Sequence, residues 1–128
     1  MPGFIDAHTH ISINPEKGNQ IGQLHDPIEI QTMRGVNNLR KMLNSGVTTA
    51  RVLGEERLLD VTFKEQIARG NVAGPDLLVS GRIISQSNGH GRAISAFDGP
   101  DEIRKGARQN LYDGADVIKI FVTGGVSS

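Results

Sequence analysis

The chain has 128 residues, enough for one ordinary domain with a core of its own. Lys plus Arg and Asp plus Glu each number 14, so no net charge points to nucleic acid or an anionic membrane as a partner. Cysteine is absent, which excludes disulfides and thiolate metal ligands, and no apolar run approaches the roughly 20 residues that span a bilayer. No basic-then-apolar leader opens the sequence, so the expectation is a soluble globular segment, with the cytoplasm as its default compartment.

A Pro2-Gly3 turn leads into Phe4 to His10, which has the pattern of a short strand. Ile11 to Leu24 is polar, contains Pro15, Gly18 and Gly22, and is expected to form a loop over the strand end. Asp26-Pro27-Ile28-Glu29 then has the form of a helix start, with Asp26 as N-cap and Pro27 in the first helical position. Met33, Val36, Leu39, Met42 and Leu43 follow at helical spacing, and Gly46 ends the helix. Val47 to Leu53 is β-branched and apolar, a second strand. Leu59, Phe63 and Ile67 mark a second helix closed by Gly70, and Pro75 leads into a third strand over Leu77 to Ser80. Gly81 to Phe97 is expected to be a long loop holding S-N-G-H-G. Asp98-Gly99-Pro100-Asp101 opens a third helix, with Ile103, Ala107 and Leu111 on one face and Gly114 at its end. Asp116 to Val122 is the fourth strand.

This βαβαβαβ order implies an α/β fold of parallel strands joined by right-handed crossovers, in the spatial order 1-2-3-4 with the helices on one side. Four strands in 128 residues is about the spacing of a (β/α)₈ barrel, and an open doubly wound sheet would alternate similarly. No G-x-G-x-x-G opens the first crossover, which weighs against a dinucleotide-binding sheet. There is no linker, repeat or low-complexity segment.

Several polar residues stand out against this frame. Alternate side chains of a strand share a face, so Asp6, His8 and His10 are expected to point one way. Residues two apart lie roughly 6.6 Å apart along a strand, close enough for two imidazoles to converge on one ion. A metal would be the partner that such a cluster needs on an otherwise apolar strand; hydrogen bonding to neighbouring loops is the plainer account. Lys119 lies within V-I-K-I-F-V, where an unpaired charge is expensive. It either pairs with a buried acid such as Asp6, or loses its proton and takes up carbon dioxide as a carbamate able to bridge two cations. His90, between Gly89 and Gly91, is either an exposed loop residue or one brought over a site. His25 is expected to be structural or exposed. Gly124 and Gly125 offer backbone N–H groups to a substrate oxygen or form a plain turn. Arg51 receives no catalytic role.

Five stretches together resemble the amidohydrolase superfamily: Pro2 to His10, Ser45 to Arg51, Gly74 to Arg82, Ser87 to Gly91, and Gly114 to Ser128. The branch they are most similar to is the imidazolonepropionase-like and Xaa-Pro dipeptidase-like group. The resemblance implies that residues 1–128 form the N-terminal half of a (β/α)₈ barrel, its first four βα units. It implies a metal-dependent hydrolase acting on amide, peptide or cyclic amide C–N bonds through a metal-activated hydroxide. His8 and His10 match the family's first-strand metal ligands, and Lys119 matches the carbamylated lysine that bridges to a second ion. The cofactor so implied is a divalent metal, zinc best fitting these donors, with cobalt, manganese or nickel as substitutes. His90 takes a substrate-facing role, and the substrate is a small amide or dipeptide. Family members draw further histidines from strands five and six and an aspartate base from strand eight, none of which falls in these 128 residues. The other expectation is therefore a catalytically incomplete half-barrel that binds metal weakly and self-associates through exposed strand edges.

Overall fold

The computed structural model describes residues 1–90 and 96–124, apart from the side chain of Ile21. Gly91 in the loop motif and the Gly125 to Ser128 end of the last motif lie outside the described residues.

The first strand, β1 (Phe4–Thr9), leads into a segment that is more than a covering loop. Ile11 and Ser12 are fully buried, and a 3₁₀ turn over Pro15–Lys17 precedes a single helical turn, α1 (Gln20–Gln23). The long helix α2 (Ile28–Asn44) starts with Pro27 at the N-cap position and no side-chain cap. Asp26 does not cap it as expected; its carboxylate pairs with Arg34, nearly two turns inside the helix.

The inward face of α2 also differs from the apolar stripe. Gln31, Gly35 and Leu39 are buried, while Met33 and Val36 are 66% and 39% exposed. Hydrogen bonding to the preceding segment turns the helix this way. The Gln31 amide donates to the carbonyls of Leu24 and Asp26, both at 2.9 Å, and Asn38 donates to those of Ile11 and Ile13 at 2.8 and 3.0 Å. Buried carbonyls left without such donors would cost about 1–3 kcal/mol each, comparable with what burying one more apolar side chain gains.

Next come β2 (Val47–Val52), a 3₁₀ turn at Glu56–Leu58, α3 (Leu59–Ala68) and β3 (Asp76–Val79). The three strands form one parallel sheet in the order β1-β2-β3. Alternation sorts its faces: Ala50, Val52, Leu77 and Val79 pack with Leu39 of α2 and with Leu59, Val61 and Phe63 of α3 in the core. The opposite face is open, with Leu78 45% and Ile5 72% exposed.

The stretch expected to be one long loop contains a further strand, β4 (Ile84–Ser85). After α4 (Gly99–Tyr112) comes β5 (Ile120–Phe121), which pairs with β4 in parallel as a separate two-stranded sheet. The fourth strand is thus shorter than the apolar run. Asp116 accounts for this: its carboxylate accepts the Val79 N–H at 2.9 Å, and the N–H groups of Asp116 and Val117 both reach the Val79 carbonyl, at 2.8 and 3.2 Å. Residues 116–117 dock on the end of β3 through these bonds, and strand pairing begins only at Ile120. The mixed α/β architecture with parallel strands is as expected, and the described strands form no closed barrel. Among the described residues no helix is long and apolar enough to cross a membrane.

Gly35 of α2 lies close against Phe63 of α3. A Cβ there would lie 2.4 and 2.5 Å from Phe63 ring atoms. Overpacking a fully buried site costs about 1–3 kcal/mol, more than the 0.5–1 kcal/mol or so that a helical Gly→Ala change returns. Gly35→Ala should therefore lower stability by about 1–2 kcal/mol in urea denaturation; an unchanged midpoint would contradict this packing.

Candidate metal centre

The functional end of β1 depends on an irregularity in its pairing. Asp6 is level with Ala50 and Thr9 with Val52, so three residue steps on β1 oppose two on β2. The extra residue is a β-bulge at Ala7–His8, and it reverses the alternation of side chains beyond it. Two side-chain bonds satisfy the groups that leave the ladder. The Asp6 carboxylate accepts the His8 N–H at 3.0 Å, and the Arg51 Nε–H donates to the Ala7 carbonyl at 2.8 Å. The expected sharing of one face by Asp6, His8 and His10 therefore fails for Asp6. Its register partner Ala50 belongs to the helix-facing core, whereas the bulge carries the two histidines to the open face.

His8 and His10 are neighbours there, with ring centroids 5.6 Å apart in an edge-on arrangement. The Nδ1 of His10 lies 3.0 Å from the Gly54 carbonyl oxygen. A carbonyl can only accept, so Nδ1 carries the proton and Nε2 keeps its lone pair. This is the tautomer a metal-ligating imidazole needs, with the non-ligating nitrogen held by a backbone group. Burial lowers the His10 pKa, and the nearby His8, Lys119 and His90 lower it further, against the opposing pull of the Gly54 carbonyl. The neutral form of the ring is thereby favoured. Asp6 being engaged elsewhere, no group of three or more His, Asp or Glu side chains gathers as a metal cage among the described residues.

Lys119 is not inside the fourth strand; it immediately precedes β5 and is half-buried. Its ammonium lies 4.8 Å from the centre of the Phe121 ring, and the His90 ring meets the same Phe121 edge-on at 4.6 Å. Burial lowers the Lys119 pKa, and the Arg51 guanidinium adds to the effect. The expected alternative of an ion pair with Asp6 or another buried acid is not formed among the described residues. The four residues expected at the site form two sets: His8 and His10 are neighbours, and Lys119 and His90 meet at Phe121 and act on the charge of His10. His25 is exposed, and Gly124 is exposed beyond β5.

Comparisons with known proteins identify the family. The sequence profile of the amidohydrolase family matches residues 1–128. The chain belongs to the amidohydrolase family. Among curated relatives, an ochratoxinase of Aspergillus niger is 26% identical over 156 aligned residues, covering all of this chain and 32% of that protein. An amidohydrolase crystal structure superposes on the whole chain with a TM-score of 0.88 and 36% identity, over 35% of its own length. A prolidase complexed with N-methylphosphonate-L-proline does so with a TM-score of 0.89, 31% identity and 35% coverage of its chain. The chain spans about a third of the length of these relatives.

Two buried acids that the sequence reading left unassigned tie down the strand ends beside the histidines. Glu55 is 2% exposed and accepts the N–H groups of Ile11 and Ser12 and the Ser12 hydroxyl. Asp60, also buried, accepts the N–H groups of Ser80 and Gly81 at 3.0 and 2.8 Å. For Glu55 the available signal was an acid just past the C-terminal end of a parallel strand, where backbone N–H groups lose their ladder partners; Asp60, inside α3, carried none. Burial raises the Glu55 pKa from 4.5 to about 7, against the hydrogen bonds from Ser12 and Ile11. The folded chain thus holds this proton more tightly than the unfolded chain does. The resulting stabilisation is fully present below pH 4.5 and is lost as pH rises through 7. Between pH 5 and 8 the wild type should lose about 2–3 kcal/mol relative to Glu55→Gln. Urea denaturation of both chains across that range checks it, and parallel pH profiles would contradict it.

Proposed function

We propose that the chain supplies the first-strand half of the metal centre of a hydrolase that cleaves C–N bonds in small amides or dipeptides. The observation that carries this is the pairing of His8 and His10 on the open face, with the Gly54 carbonyl holding the His10 Nδ1 proton and leaving Nε2 free. His8 and His10 would hold the ion. Zinc fits the imidazole donors and cobalt, manganese or nickel can replace it, and the bound ion supplies Lewis-acid polarisation of the scissile carbonyl together with a lowered water pKa. Lys119 completes the donor set as a carbamate. The neutral amine attacks carbon dioxide, the N–C bond forms, and one proton passes to solvent. Partial burial and Arg51 favour that neutral amine, while the Phe121 ring stabilises the ammonium until it is lost. His90, packed against the same Phe121 ring, would contact substrate. Similarity to a prolidase complexed with N-methylphosphonate-L-proline supports a dipeptide-like substrate.

Zinc titration by calorimetry tests the site directly. The chain should bind one ion weakly, and His8→Ala or His10→Ala should each abolish the binding heat. Binding that survives both substitutions would remove the proposed site.

A second reading follows from ligand counting. A catalytic zinc generally has three protein ligands plus water, and the described residues bring two imidazoles and one lysine together. On this reading the 128-residue chain is catalytically incomplete and associates through its open face, where Phe4, Ile5 and Leu78 stand exposed. Two measurements separate the readings. Incubation with zinc, bicarbonate and a panel of dipeptides and cyclic amides should give no turnover, and light scattering at micromolar concentration should give a mass above the monomer. Hydrolysis that disappears in His8→Ala, or a stable monomer, would count against incompleteness and against association respectively.

A further inference from the structure

The ends of β1 and β2 are joined by more than their ladder. The Leu53 N–H donates to the Thr9 carbonyl at 3.1 Å, His10 Nδ1 bonds to the Gly54 carbonyl, and the Ile11 and Ser12 N–H groups meet the Glu55 carboxylate. Three consecutive residues, 53–55, thus hold four consecutive ones, 9–12. Gly54 fits this join in two ways. Its φ of +109° is one that side chains rarely adopt, and a Cβ there would lie 2.1 and 2.5 Å from Ile83 side-chain atoms. The Glu55 N–H donates to the Gly81 carbonyl at 3.2 Å, which ties the same corner to the end of β3.

Among the described residues no cation pairs with Glu55, although its side chain is buried. The energy of removing that carboxylate from water is offset only by donors from one turn, Ile11–Ser12. That turn directly follows His10. Whatever holds Ile11 and Ser12 also sets where the His10 ring lies against Gly54.

We infer that Glu55 is a positioning residue for His10: by anchoring Ile11 and Ser12 to the end of β2, it keeps the His10 Nδ1 proton on the Gly54 carbonyl and the Nε2 lone pair directed to the open face. The inference rests on the proposed role of His10 as a metal ligand only for its purpose; the clamp itself is a property of the metal-free chain. Glu55→Ala leaves three buried donors without an acceptor and frees the turn. Glu55→Gln keeps an acceptor oxygen for the backbone N–H groups and should preserve the clamp. Glu55→Asp shortens the reach by one methylene and weakens the clamp while keeping the charge.

Long-range ¹⁵N–¹H spectra of the imidazoles in the metal-free chain at pH 8 read the tautomer of His10 directly. The wild type and Glu55→Gln should show the Nδ1–H form. Glu55→Ala should shift toward the Nε2–H form that free imidazole prefers, with Glu55→Asp intermediate. Asp60→Ala serves as the structural control: it removes a buried carboxylate that holds Ser80 and Gly81, so it should lower the melting temperature without changing the His10 tautomer. If Glu55→Ala fails to fold by circular dichroism, Glu55→Asp carries the test. Zinc affinity should fall by about 10–100-fold in Glu55→Ala and stay within a few-fold in Glu55→Gln. An unchanged Nδ1–H tautomer in a folded Glu55→Ala or Glu55→Asp chain would overturn the inference, as would the same tautomer change in Asp60→Ala. If zinc fails to bind even the wild type while the tautomer shifts as stated, the clamp stands and the metal reading falls. Undiminished zinc binding with an unchanged tautomer in Glu55→Ala has the opposite meaning.

Discussion

The structure depends on one buried carboxylate having to find its hydrogen bonds. Glu55 sits at the end of β2 with essentially no contact with water, and a carboxyl group in that position is costly unless donors surround it. The donors come from Ile11 and Ser12, so the segment leaving β1 must fold down over the end of β2. Once it does, Ile11 joins the core beside Leu39 and Phe63. The carbonyls of Ile11 and Ile13 then face Asn38, and that of Ser12 faces Arg34. The polar inward face of α2 is thus a consequence of where the residues after β1 must lie.

The same device recurs along the sheet. Asp60 accepts N–H groups from Ser80 and Gly81 just beyond β3, and Asp116 accepts the N–H of Val79 at its last residue. Parallel strands that end without further ladder leave donors that must be satisfied, and here acids from the neighbouring connection satisfy them. These bonds take the place of strand pairing at the end of β3 and ahead of β5. The effect is to tie down the C-terminal strand ends, the end of an α/β sheet where functional groups gather in barrel folds.

Against that fixed rim, the open face carries His8, His10 and Arg51, and Lys119 and His90 meet at Phe121 near enough to act on the charge of His10. Burial, and then repulsion from neighbouring charges, lowers the pKa of both His10 and Lys119. The β-bulge contributes by removing Asp6 from the face where its charge would have favoured protonated imidazoles. The electrostatics and the backbone irregularity act in the same direction.

By itself the sequence determined the parallel α/β class, the first three strands and the three long helices, and it singled out His8, His10, Lys119 and His90 as candidates. Period-two runs such as Val47 to Val52, glycine stops such as Gly46 and Gly70, and the His8-x-His10 spacing are local patterns, and local chain geometry suffices to produce their structures. Tertiary structure alone decided the bulge that separates Asp6 from the histidines, the rotation of α2 that exposes Met33, the shortening of the fourth strand ahead of Lys119, and the burial of Glu55. Each of these follows from which backbone donors and acceptors a neighbouring segment leaves unpaired. That quantity does not exist until the segments are packed together, so no window of sequence carries it.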